Sequence, residues 1–126
     1  MKIVIPGGTG HVGQVLARAF IAEKHDVVLL SRAPKPGTVS RVVEWDGATL
    51  GEWGRELDGA DVLINLAGRS VDCRYDAVNQ AEIMHSRVKS TRVLGHAVAN
   101  AARPPRLWMN ASTATIYRHA LDYPMD

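Results

Sequence analysis

Apolar residues in this chain come in short runs separated by polar turns, and two different spacings alternate along it. Residues 3–5 (Ile-Val-Ile) and residues 26–31 (Asp-Val-Val-Leu-Leu-Ser) are nearly continuous apolar stretches. Runs this short, rich in β-branched residues, fit strands buried on both faces. Between them Val12, Val15, Leu16, Ala19 and Phe20 recur at helical spacing and predict an amphipathic helix with that stripe inward. Residues 33–37 (Ala-Pro-Lys-Pro-Gly) are too proline-rich for a helix. Residues 40–45 read as a third strand, 50–57 as a short helix around Trp53, and 60–68 as a fourth strand with its exit turn. A long helix is expected over 76–102, where Val78, Ile83, Val88, Leu94, Ala97, Val98 and Ala101 recur near the helical period. Arg103-Pro104-Pro105 stops it, and residues 107–111 form a fifth strand. Strands alternating with helices predict an α/β fold with a parallel sheet covered on both faces. The expected strand order is 3-2-1-4-5 in a doubly wound, Rossmann-type sheet.

The turn after the first strand carries the chemistry. Gly7, Gly8, Gly10 and Gly13 fall within seven residues, between a buried strand and a helix. Strand, glycine turn and helix in that order begin a dinucleotide-binding βαβ unit. One glycine permits the sharp turn, the next lets backbone approach a pyrophosphate, and the last lets the helix pack closely. The diphosphate would rest on free N–H groups at the positive helix end, so Gly7, Thr9, Gly10, His11, Val12 and Gly13 are the expected cradle. Gly8 and Gly13 also have the spacing of a mononucleotide phosphate loop. Gln14 and Val15 follow where that loop needs Lys and Ser or Thr, so the mononucleotide alternative fails. A purely structural turn remains the competing explanation for glycines alone.

The end of the second strand bears on which dinucleotide binds. NAD sites usually place a carboxylate there for the ribose hydroxyls. Here Ser31-Arg32 stands at that place with Lys35 nearby, and an arginine suits a 2′-phosphate through charge-assisted bonds. The expected cofactor is therefore NADP, with NAD left open and a solvated surface arginine as the alternative. Asp46 could accept a hydrogen bond from the adenine amine, while Trp45 either borders the adenine or belongs to the core. Leu66, Ala67 and Gly68, after Asn65, are small or apolar where backbone must pass close to the cofactor.

Composition narrows the remaining classes. With 126 residues, 46% hydrophobic and 22% charged, the chain reads as one globular domain over residues 1–126. The net charge of +2 comes without a Lys/Arg run, which argues against nucleic-acid binding. No apolar stretch approaches the roughly 18–20 residues needed to span a bilayer, and no signal-peptide pattern precedes the first strand. The single cysteine, Cys73, excludes an internal disulfide and suits a reducing cytoplasm. His11, His25, His85, His96 and His119 show no metal-ligand spacing, so no metal is expected.

Four segments together resemble the extended or atypical short-chain dehydrogenase/reductase superfamily, in its NAD(P)-dependent sugar-nucleotide-epimerase-like branch. They are Gly7-Gly-Thr-Gly-His-Val-Gly13, Val62-Leu-Ile-Asn-Leu-Ala-Gly68, His85-Ser-Arg-Val-Lys-Ser-Thr-Arg-Val-Leu94 and Asn110-Ala-Ser-Thr-Ala-Thr-Ile-Tyr117. The resemblance implies that Gly7, Gly10 and Gly13 line the pyrophosphate and that Ala67 and Gly68 run beside the nicotinamide half. It places Thr113 where the family hydrogen-bonds a substrate carbonyl or hydroxyl, with Ser112 as the fallback. Arg87 stands where many extended members carry Asn, which leaves its role open. The family's acid/base is a Tyr-x-x-x-Lys pair, yet none of Tyr75, Tyr117 and Tyr123 has Lys four residues later. The chain therefore reads as the amino-terminal part of an enzyme moving hydride to or from a carbonyl- or sugar-like substrate. A non-catalytic dinucleotide-binding regulator or interaction module is the alternative. An unpaired fifth strand would leave a sheet edge and apolar surface, so self-association is expected, and concentration-dependent light scattering would detect it.

Overall fold

Among the described residues the apolar runs become five strands: β1 (Lys2–Pro6), β2 (Asp26–Ser31), β3 (Arg41–Glu44), β4 (Val62–Asn65) and β5 (Leu107–Asn110). The computed structural model describes residues 1–68 and 77–112. All four strand pairings are parallel, and the order is β3-β2-β1-β4-β5. Helix α1 (His11–Ala22) connects β1 to β2, a short 3₁₀ helix (Glu52–Glu56) precedes β4, and α2 (Ala77–Asn100) connects β4 to β5. The 3₁₀ helix is shorter than the helix expected over 50–57. Chain direction across the sheet reverses at β1, because β2 and β4 flank it on opposite sides. That reversal opens a crevice at the carboxyl ends of β1 and β4.

Register explains the two cores. Ile3 pairs with Val27 and Ile5 with Leu29, so these four side chains share one face with Ile64 and meet Ala17 of α1. Val4, Val28, Leu30 and Leu63 point the other way, against Trp45, Trp53, Leu57, Val93, Leu94 and Ala97. Each fully buried aliphatic side chain here contributes roughly 1.5–3 kcal/mol relative to exposure. No helix among the described residues is long and apolar enough to cross a membrane.

Each helix turns inward only part of the stripe its apolar spacing predicts: Leu16 and Phe20 of α1, and Leu94, Ala97 and Val98 of α2. In α1, Val12 and Val15 are 58% and 51% exposed and Ala19 is exposed, while Gly13, Leu16, Ala17 and Phe20 turn inward. The rotation follows from Gly13, which must face the glycine turn because its α-carbon packs directly on Gly8. Val12 and Val15 lie about 100° and 200° around the helix from it, and so point away from the sheet. In α2, Val78 and Val88 are exposed, and the buried side chains are Ser90, Val93, Leu94 and Ala97. Its first half borders the crevice instead of the sheet. On β5, Leu107 and Met109 remain about half exposed on the side where α1 covers only its neighbours.

The amino ends of the strands are tied by charge. Arg41 grips both oxygens of Glu56 (2.8 and 2.9 Å), and Lys2 Nζ reaches the same carboxylate at 3.0 Å. This network joins the starts of β1 and β3 to the 3₁₀ helix. The Arg41 hydrogen bonds, with Lys2 assisting, lower the Glu56 pKa from 4.5 to about 2. A depressed carboxylate pKa contributes stability that is present above about pH 4.5 and lost as pH falls towards 2. Glu56→Gln should therefore lower the unfolding free energy by about 1 kcal/mol at pH 7 and by much less near pH 2, as read from urea midpoints. An equal difference at both pH values would remove the network's role.

Candidate dinucleotide site

The crevice is a cavity of about 870 Å³, lined by the glycine turn, the exits of β2 and β4, the 46–48 loop and one face of α2. Its glycines differ in what demands them. Gly7 has φ +73°, and a Cβ there would stand 2.8 Å from the backbone nitrogen and α-carbon of Ala67. This close approach joins the first turn to the β4 exit, reinforced where Leu66 N–H donates to Pro6 O at 2.9 Å. Gly8 is pressed onto Ile5 and Leu29, and Gly13 onto Gly8. Gly10 is different: a Cβ would meet only Gly7 O, at an ordinary 3.6 Å. The protein's own packing does not need glycine there. Gly10 is also the N-cap of α1, with no side chain capping it, so no capping side chain takes the first helical N–H groups.

Ser31 is 6% exposed, and its hydroxyl meets Thr9 Oγ1 at 3.4 Å and accepts the Ala33 N–H at 3.2 Å. It thereby fixes the β2 exit against the glycine turn, and Arg32 and Lys35 follow as exposed cations lining the cavity. Asp46 Oδ1 accepts the N–H groups of Ala48 (2.9 Å) and Thr49 (2.8 Å), while Oδ2 accepts the Thr49 hydroxyl. Those bonds, the Thr49 hydroxyl foremost, hold its pKa near 2, so it is an anion at neutral pH. A carboxylate accepts about four hydrogen bonds, so one place remains for an amine. Trp45 is 5% exposed and stacks edge-to-face on Trp53 at 5.2 Å, which makes it core and cavity wall at once.

Asn65 is 4% exposed at the end of β4. Its Oδ1 accepts the Ala67 N–H at 3.0 Å, and its Nδ2 donates to Asn110 Oδ1 at 3.0 Å and towards Thr91 Oγ1 at 3.5 Å. The strand exits bearing Ala67 and Ser112 are thus linked side chain to side chain. Gly68 has φ +157°, and the Arg87 side chain lies against its α-carbon, with Cγ and Nη1 3.3 Å from where a Cβ would stand.

Of the residues expected from sequence, Gly7, Thr9, Gly10, Ser31, Arg32, Asp46, Leu66, Ala67 and Gly68 line one cavity. His11, Val12 and Gly13 open α1 without lining it; Arg87 sits behind Gly68, and Ser112 is exposed past β5. Thr113, Tyr117, Cys73 and Tyr75 lie outside the described residues. Sequence spacing missed the α2 wall of Glu82, His85, Ser86, Lys89 and Ser90, and the partners Thr91 and Asn110. A polar helix face looks like a solvated one, so only the placement of α2 reveals it.

Known proteins with the same arrangement are recognisable. The chain is 32% identical over 129 residues to the epimerase family protein SDR39U1 of Bos taurus, covering 100% of this chain and 41% of the relative. It is 32% identical over 126 residues to the epimerase family protein YfhF of Bacillus subtilis, covering 97% of this chain and 41% of that one. The chain thus spans about two fifths of the length of these relatives. The crystal structure of human SDR39U1 (isoform 2) with NADPH superposes with a TM-score of 0.79 at 31% identity, covering 98% of this chain and 40% of that one. MoeE5 in complex with UDP-glucose and NAD reaches 0.80 at 22% identity, covering 99% of this chain and 40% of that one, a likeness of fold alone. Residues 3–124 match the family described as the NAD dependent epimerase/dehydratase family, and the chain belongs to it.

Proposed function

We propose that this chain forms the NADP-binding part of a short-chain-type oxidoreductase or epimerase acting on a carbonyl- or sugar-like substrate. The observation that carries this reading is Gly10. It lines the cavity at the uncapped start of α1, has ordinary space for a Cβ, and leaves that space for a ligand. A diphosphate fits there, because its oxygens can take the first-turn N–H groups and the favourable end of the helix dipole. Arg32 and Lys35 at the β2 exit support NADP over NAD, and the NADPH-bound human relative points the same way.

In the complete reaction the nicotinamide supplies or accepts a hydride at its C4. This chain's own residues bind and orient. Gly7 and Gly10 admit the diphosphate, Asp46 takes the adenine amine, and Ala67 and Gly68 pass beside the nicotinamide half. Thr113, or Ser112 in its place, donates a hydrogen bond that polarises the substrate oxygen. Arg87, laid on Gly68, backs that end of the cradle.

Titration of this chain with NADPH and NADH tests the reading. Arg32→Ala should weaken NADPH about tenfold or more while changing NADH less than about twofold, as expected for one charge-assisted pair. Equal losses would sink the NADP assignment, and a wild-type chain that binds neither nucleotide would sink the binding reading altogether.

A further inference from the structure

We propose that Lys89 is a second specificity determinant for the 2′-phosphate, reaching it from α2, which lines the same cavity as Arg32 and Lys35. The inference rests on the NADP reading above and adds a residue that no glycine or strand-end motif contains.

Placement carries it. His85, Ser86, Lys89 and Ser90 are spaced so that they share one face of α2, and that face lines the cavity. The two serines are small, and each hydroxyl turns back onto its own helix, Ser86 to Ile83 O at 3.0 Å and Ser90 to Arg87 O at 3.2 Å. They form a smooth wall, and the exposed lysine beside Ser90 brings a charge to it. Ser90 is 2% exposed, and the next turns of α2 bury Val93, Leu94 and Ala97, so the base of Lys89 is anchored in the core. At the β2 exit, Ser31 holds the backbone on either side of Arg32, through its own buried position and the Ala33 N–H, and Lys35 follows in the loop. Cations from two different elements, Arg32 and Lys35 at the β2 exit and Lys89 on α2, therefore line one cavity.

Charge balance favours a phosphate between them. A phosphomonoester carries about −1.5 to −2 near neutral pH, and a cation on α2 would add to the solvent-screened Arg32 and Lys35 in offsetting it. The carboxylates that line the cavity do not cancel Lys89. Asp46 is engaged by Ala48 and Thr49, and Glu82 lies two turns, about 10 Å, nearer the start of α2. A lysine supplies a mobile point charge, and an arginine a planar fork, so the pair can hold one phosphate from two directions.

The test is calorimetric titration of wild type, Lys89→Ala, Lys89→Arg and Arg32→Ala with four probes at one ionic strength. The probes are NADPH, NADH, adenosine 2′,5′-bisphosphate and ADP. Lys89→Ala should weaken NADPH and the bisphosphate about five- to tenfold and NADH and ADP less than about twofold, with Lys89→Arg near wild type. Lys89 is exposed, so unchanged melting temperatures are expected throughout. Equal weakening of all four probes would overturn the inference by placing Lys89 on the shared adenosine 5′-phosphate. No effect of Lys89→Ala while Arg32→Ala loses NADPH would overturn it and leave the NADP reading standing. A wild-type chain with no preference for the 2′-phosphorylated probes would overturn both.

Discussion

Gly13→Ala should cost this chain about 3 kcal/mol or more of stability and abolish measurable nucleotide binding, whereas Gly10→Ala should keep the fold and lose only the ligand. The contrast comes from what surrounds each α-carbon. A Cβ on Gly13 falls on the carbonyl oxygen and α-carbon of Gly8, well inside contact distance. Both atoms are backbone, so no rotamer change can relieve the clash. Either α1 backs away from the sheet, opening space around Ala17, or the turn between Gly7 and Gly10 is pushed out. The first loses packing against Ile5 and Leu29, and the second moves the N–H groups offered to a diphosphate. At Gly10 the same methyl meets only Gly7 O, at 3.6 Å. It intrudes where a phosphate approaches, so nucleotide affinity should fall by about tenfold or more while the melting temperature moves by less than about 2 °C. Thermal melts and nucleotide titration on both variants decide it. A Gly13→Ala chain that melts like wild type would show that the turn is slack, and a Gly10→Ala chain that binds NADPH normally would remove the phosphate from this turn.

That pair also shows why some of the fold was legible and some was not. The β2 run declares itself because a strand buried on both faces must be apolar at nearly every position, and residues 26–31 are observed as β2. Strand order followed from alternation of strand and helix, which permits few parallel arrangements. Helix rotation was not legible, because it is set by one backbone contact. In α1 the requirement that Gly13 touch Gly8 overrides the more apolar stripe through Val12 and Val15. The glycine turn and Arg32 were legible, since their chemistry sits in consecutive residues. Lys89 and His85 reach the same cavity from more than fifty residues beyond Arg32, and although the His85–Leu94 segment carries the family resemblance, its spacing does not say which side chains meet the cavity. Asn65 was visible only as part of a turn. Its partner Asn110 lies on another strand, and the β4–β5 register alone brings the two together.

Asn65→Leu is the second large effect, an expected loss of about 2–3 kcal/mol with a leucine that keeps the branched shape but is bulkier and has no polar atom. The orientation of the whole network follows from one group that can only donate. The Trp108 indole N–H donates to Asn110 at 3.1 Å, so the Asn110 atom there must be its oxygen. The same oxygen faces Asn65 at 3.0 Å, which requires the Asn65 amide nitrogen on that side. The Asn65 oxygen is then left to accept the Ala67 N–H. Leucine satisfies none of this. It orphans the Ala67 N–H beside the cavity and removes a donor from Asn110 at a position only 4% exposed. An unmet buried polar group costs about 1–3 kcal/mol; Asn110 is exposed and keeps the Trp108 N–H, so the cost falls chiefly on the Ala67 N–H and on the bulkier side chain. Asn65→Asp keeps the acceptor for Ala67 but sets a carboxylate oxygen against the Asn110 oxygen. It should destabilise at pH 7 and recover part of the loss on acidification, as the protonated acid regains a donor. Because Ala67 and Gly68 border the cavity, both variants should also weaken NADPH, in proportion to how far the β4 exit is freed. Urea unfolding of Asn65→Leu within about 0.5 kcal/mol of wild type would mean that water replaces the amide at no cost. The side-chain link between the two strand exits would then carry no strain from one to the other.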